Sequence, residues 1–365
     1  MDYQEIIKQQ MNQIDTSGLK SIIDEVTNQS QGYVTPMSLE EIVANVLAGQ
    51  PLFDSEAIIA NFRDLFLFEI RSGLILGVQL VTVCIVIGLL KNLSNSFGEK
   101  TVSDLGIIVC SCFVIALCLR NFTYTYNLCG DCINTMTGTM QILLPILIPL
   151  MVSMGGFTSG SILNPVILGA ITLFNTVLQK FILPAIFISA IFILVNSMTD
   201  RDYVNKLAHF LRGAATFSTG LAVTFFTGLT AIQGIVTQSA DGLLVNTARY
   251  SINNFVPIVG GFAADSIDMV LGCIGIIKTG VGILGVILIV CLLAIPLLKI
   301  IAIAVIYKIT AIIIEPIGNK QVSNALNEMG NSVITMAVVL FLTTLMFLIF
   351  LTIVIGIGGG SLWKS

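Results

Sequence analysis

The sequence predicts an all-α fold: a polytopic transmembrane helix bundle of about seven to nine spans, with a small helical region ahead of it. Three observations lead there. Of 365 residues, 55% are hydrophobic and only 10% charged, whereas soluble domains carry about 25% charged residues. The mean hydropathy is +0.96. Apolar runs recur that are long enough, at about 1.5 Å per residue, to cross a hydrocarbon core of about 30 Å. So few charges cannot clothe a water-facing surface, so much of the surface must face lipid.

The charge is unevenly spread. Residues 1–72 hold four Lys or Arg against eleven Asp or Glu, a net of −7, and residues 73–365 carry +3. The chain therefore divides into an acidic polar head, 1–72, and a sparsely charged multi-pass domain, 73–365. Neither has the basic patch that nucleic-acid binding needs. In the head, Ile6, Ile7, Ile14, Leu19, Ile22, Ile23 and Val26 recur at helical spacing. Residues 29–35 break that pattern. Ser38 and Glu41 then form a capping box, in which the serine oxygen accepts an orphan N–H and the glutamate reaches back. Gly49 and Pro51 end that helix. Ile58, Ile59, Phe62, Leu65 and Phe66 continue an amphipathic stretch toward the first span. Residues 1–13 are polar and do not read as a signal peptide. Three readings remain: a cytoplasmic head, a first span that acts as the export signal, or a leader upstream of Met1.

Eight apolar runs follow, at 73–90, 105–119, 133–155, 162–178, 181–197, 213–231, 280–307 and 333–358. Between the sixth and seventh, residues 253–261 (NNFVPIVGG) are too broken for a simple helix, and Asp265 and Asp268 follow at once. Broken backbone at membrane depth is tolerated only inside protein or beside a wet cavity. The stretch reads as a re-entrant or discontinuous element, with a loop and a short helix as the alternative. Lys91 and Lys100 flank the first connection, and Arg201, Lys206 and Arg212 cluster in the one after Ser197. The positive-inside rule puts both in the cytoplasm and the head outside. Residues 200–214 and 319–331 each carry one apolar helical face and read as interfacial.

Enzyme signatures are missing: the sequence has no phosphate loop, zinc-protease pair or nucleophile elbow. No cofactor or metal is implied. The single histidine, His209, sits beside Arg212 in an amphipathic stretch and reads as an interfacial residue. Eight cysteines lie in the membrane domain, mostly in apolar runs where a thiol packs as a small hydrophobe. Cys129 and Cys132, placed in a loop between two spans, read as packing thiols ahead of a redox or metal site, and outside the cytoplasm a disulfide becomes the further alternative. Ionisable residues in apolar surroundings cost free energy unless they face a cavity or a partner. Asp265 and Asp268 read equally as a polar pathway or subunit contact and as interfacial groups. Lys299 and Lys308 read as side chains that snorkel to the interface. Gly156, Gly160, Gly272, Gly275, Gly280, Gly282 and Gly285 allow close helix approach, in tightly packed helices or in oligomers.

Four motifs carry a resemblance: DGLLVNTARYSINNFVPIVGG at 241–261, ADSIDMVLG at 264–272, PLLKI at 296–300 and NEMGNS at 327–332. Together they resemble the stage III sporulation protein AE family of endospore-forming Firmicutes, most strongly over 200–358. The resemblance implies a membrane subunit, without enzymatic activity, of a sporulation-specific channel or secretion-like complex. That complex lies in the mother-cell membrane around the forespore, with other stage III subunits and a separate ATPase as partners. Family members commonly start with a signal sequence. The functional positions it marks are Arg249, Asn253, Asn254, Pro257, Gly260, Gly261, Asp265 and Asp268. A secondary transporter for a small solute and a purely structural scaffold are the rival readings, since broken helices and membrane-deep charges also serve transport.

Overall fold

A computed structural model describes residues 17–29, 41–42, 55–97, 100–154, 157–197, 204–255, 260–317 and 320–356. Every element among them is helical. Helix α1 is Ser17–Gln29, α2 is Ser55–Phe97, α3 is Lys100–Ser153 and α4 is Phe157–Val177. A π-helical segment, Leu178–Ile182, joins α4 to α5, Leu183–Asn196. Helix α6 is Asn205–Phe255, α7 is Gly260–Ile314 and α8 is Lys320–Gly356. Among the described residues, six helical rods are long and apolar enough to cross a membrane: α2, α3, α4 continued through α5, α6, α7 and α8.

The eight apolar runs map onto these six rods. Run 105–119 and run 133–155 as far as Ser153 lie within the single helix α3, and runs 162–178 and 181–197 lie along α4–α5. Hydropathy counts apolar stretches, and a polar interval between two of them reads as a loop even when the helix continues through it. Residues 120–132, including Cys129 and Cys132, are helix and not a loop. Both thiols are free and buried, held by weak bonds to the Met336 carbonyl at 3.8 Å and the Leu292 carbonyl at 3.4 Å.

The rods alternate in direction, and cross-contacts establish it. Gly73 and Gly77 both lie beside Ile306, Gly77 also touches Thr310, and Lys299 pairs with Glu69, so α2 and α7 run parallel. The Tyr307 hydroxyl donates to the Cys118 carbonyl at 3.1 Å while Cys132 meets Leu292, so α3 and α7 are antiparallel. Gln179 meets Gly130 and Phe187 stacks near Phe122, making α3 antiparallel to α4–α5. Phe226 touches Phe350 and Arg212 pairs with Glu328, so α6 and α8 are parallel. Odd rods point one way and even rods the other, as single crossings of a membrane require.

Helix α7 is the most enclosed rod and α6 the least. The glycine expectation holds at Gly282 and Gly285. A methyl group on Gly285 would lie 2.8 Å from Leu143 Cδ1, and one on Gly282 would collide with Ile355. Glycine there lets α7 seat against α3 and α8. Gly272 meets nothing within 4 Å, and Gly156 lies outside the described residues. In the head, Ile22 and Ile42 are buried, and α1 lies against the membrane rods where Gly18 touches Ile142.

Candidate functional site

Helix α3 has two unlike faces. Cys118, Phe122, Thr125, Cys129, Cys132, Met136, Met140, Leu143 and Leu147 recur three or four apart and are all buried, a seam of heptad type facing the bundle. Arg120, Tyr124, Asn127, Asp131, Asn134 and Gln141 recur at the same spacing on the opposite side, and all are exposed. Gly138 completes that register with nothing within 4 Å of a Cβ built on it. From 120 to 141 the polar stripe rises about 32 Å along the helix axis, close to the bilayer core of about 30 Å. Thr123, Thr125, Thr137 and Thr139 each bond a carbonyl four residues back, so their hydroxyls are satisfied inside the helix.

A second element extends the polar face. The π segment precedes Pro184 at the start of α5. Proline has no N–H and its ring crowds the carbonyl four residues back, which favours a widened turn. That turn presents Gln179, whose Nε2 donates to the Gly130 carbonyl at 2.8 Å. Asn175 Nδ2 donates to Asn134 Oδ1 at 3.3 Å, while Asn175 Oδ1 is buried and has no hydrogen-bond partner among the described residues. Thr172, Thr176 and Lys180 are exposed alongside.

These groups sit near the middle of their helical rods. Asp131 is 23 residues from one end of its span, Ile108–Ser153, and Lys180 is 14 from one end of Val166–Asn196. At about 1.5 Å per residue Lys180 is roughly 21 Å from the nearer end, beyond the reach of a lysine side chain. No ion pair involves Arg120, Asp131 or Lys180 among the described residues. Each charge at the centre of a bilayer costs about 2.5–3.5 kcal/mol even on insertion scales, so lipid is the wrong neighbour for this face.

A separate polar cluster ties three rods together at one end. Arg212 Nη1 on α6 lies 2.9 Å from Glu328 Oε2 on α8 and donates to the Glu328 carbonyl at 3.3 Å. Arg212 Nη2 donates to His209 Nδ1 at 3.0 Å. Asn331 Nδ2 donates to Glu328 Oε1 at 3.2 Å, and Lys308 of α7 donates to Asn331 Oδ1 at 2.8 Å. The segments read as interfacial are thus, in their described parts, the opening turns of α6 and α8, locked to each other. Lys299 does not stand alone as a snorkelling group, because it lies 3.6 Å from Glu69 of α2. Lys278 is buried and donates to the Ile355 carbonyl at 3.1 Å, near the end of α8.

The residues marked by the motifs are placed by backbone alone. Arg249, Asn253 and Asn254 are in the last turns of α6, and Gly260, Gly261, Asp265 and Asp268 are in the first turns of α7. Pro257 and the side chains of 237–270 lie outside the described residues. Helix covers 253–255 and 260–261 of the stretch that reads as broken. The α3 stripe was missed because it interrupts hydropathy. Its signal was the spacing of polar side chains at 120, 124, 127, 131, 134 and 141, which matches a helix and no loop. Among the described residues no three His, Cys, Asp or Glu side chains come together as a metal site requires.

Comparison with known proteins adds two findings. The family model described as Stage III sporulation protein AE matches residues 37–358. The stage III sporulation protein AE of Bacillus subtilis (strain 168) is 32% identical over 330 residues, covering 90% of this chain and 82% of that protein. No solved structure matches.

Proposed function

Because the chain belongs to the stage III sporulation protein AE family, we propose that it is the membrane subunit of a sporulation conduit that sustains the forespore after engulfment. The observation that carries this reading is the polar stripe of α3, exposed from Arg120 to Gln141 over a height close to that of the bilayer core, with Asp131 midway along it. A protein that only anchored a complex would have no need of such a face. In this reading the protein is not an enzyme. It works in the mother-cell membrane around the forespore with other stage III subunits, and a separate ATPase supplies energy.

Six alternating rods support the orientation. The connection holding Lys91 and Lys100 follows one rod, and the one holding Arg201 and Lys206 follows three, so single crossings put both on the same side. That side is the cytoplasm by the distribution of basic residues. The acidic head is then on the other side, a region of its own with an exported role. Residues 241–268, where α6 gives way to α7, lie on the head side and serve assembly or the pathway.

A clean deletion in the source organism tests the proposal, scoring growth, engulfment and late forespore gene expression. Normal growth with arrest after engulfment, restored by the intact gene, is the expected result. A growth defect on one nutrient with normal spores would overturn it in favour of a solute transporter.

A further inference from the structure

Resting on the conduit reading, we propose that copies of this chain assemble around an axis parallel to α3, so that their polar stripes together line a water-filled lumen for small polar solutes. One helix face is only one wall. The other four rods pack behind α3 and its neighbour, since the buried seam from Cys118 to Leu147 is the side turned to the bundle. The remaining walls must come from outside the single chain, and a ring of identical subunits supplies them without another component.

Three features favour a lumen between copies. The stripe from Arg120 to Gln141 is as tall as the hydrocarbon core is thick, which a pathway across the membrane needs and a local contact does not. Its side chains are amides, a phenol and charges of both signs, the lining of a wet passage with little preference between anions and cations. Asp131 and Lys180 are both exposed and belong to adjacent rods at one depth, fixed by the Gln179 bond to Gly130. Parallel copies turned about a common axis can therefore bring opposite charges level with each other at every repeat.

The test uses the full chain, purified and reconstituted in liposomes, with Cys112→Ser removing the one exposed native thiol among the described residues. Asn127→Cys and Asn134→Cys place thiols on the stripe at exposed positions, leaving the buried seam intact. Phe225→Cys places one on the outer, apolar face of α6, where Phe225 is 69% exposed. A membrane-impermeant thiol reagent needs water and a thiolate, so the stripe thiols should react at least about tenfold faster than the α6 thiol. A bismaleimide should also join two differently tagged copies through Asn134→Cys. Equal, slow labelling at all three positions overturns the proposal. So does fast labelling without links between copies, which means water reaches an open groove on one chain, and so do links without labelling, which mean a dry contact. These outcomes are independent of the deletion phenotype, so a failed ring with an intact post-engulfment arrest rejects the lumen between copies and not the conduit.

Discussion

Glu328 gathers three helices at one point. Its carboxylate faces Arg212 of α6 and accepts from Asn331, which in turn accepts from Lys308 of α7. Removing one member leaves the others with unmet demand in a site where Arg212 is 15% and Glu328 24% exposed. Glu328→Ala is expected to destabilise the protein by about 1–3 kcal/mol. Thermal unfolding in detergent should show Arg212→Ala and Glu328→Ala each lowering Tm, with the double variant well short of their sum. Additive losses would mean that the pair is not coupled. Gly282 poses the opposite problem, because a side chain there has to displace Ile355. Gly282→Leu should cost about 1–3 kcal/mol through overpacking, while Gly272→Ala, inside a helix with open space around it, should raise Tm slightly. The glycine series was legible in the sequence as a packing signal. Which glycines were in contact was not, because that depends on the partners Ile355 and Leu143, more than 70 residues away in either direction.

Single elements explain most of the difference between eight runs and six rods. Helix α3 keeps its hydrogen bonds through 120–132 because helix formation depends on backbone pairing and on the buried seam, and neither is recorded by average hydropathy. A reporter fused at Gly98 and another at Gly155 separate the two topologies. With α3 as a single rod they fall on opposite sides of the membrane. With two spans they would fall on the same side. Phosphatase and fluorescence activities of the two fusions read this out directly, and equal behaviour would contradict a single α3. The apolar helices, the acidic head and the family motifs were legible from composition, charge and ordered sequence. The stripe was equally present as a pattern, at 120, 124, 127, 131, 134 and 141, but a search for apolar periodicity passes over a polar one. The junction of α6 and α7 was legible only as an interruption around Pro257.

At the scale of the whole molecule, the structure is a bundle whose most enclosed rod is α7 and whose polar outer face is on α3 beside the π segment. A bundle made only to sit in lipid would carry apolar residues on that face, as α6 does with Phe210, Phe217, Leu221 and Phe225. In the conduit reading proposed above, the contrast between the two outer faces marks the α3 face as the one that polar material would meet. It is tested most directly in the source organism by replacing Asn127, Asp131 and Asn134 together with leucine. These changes raise compatibility with lipid and replace only exposed side chains, at the loss of one long bond from Asn175, so the protein should still accumulate in the membrane. The measurement is late forespore gene expression in those cells. The account predicts its loss after normal engulfment, with wild-type amounts of membrane-inserted protein. Wild-type expression and spore yield from the triple variant would contradict it.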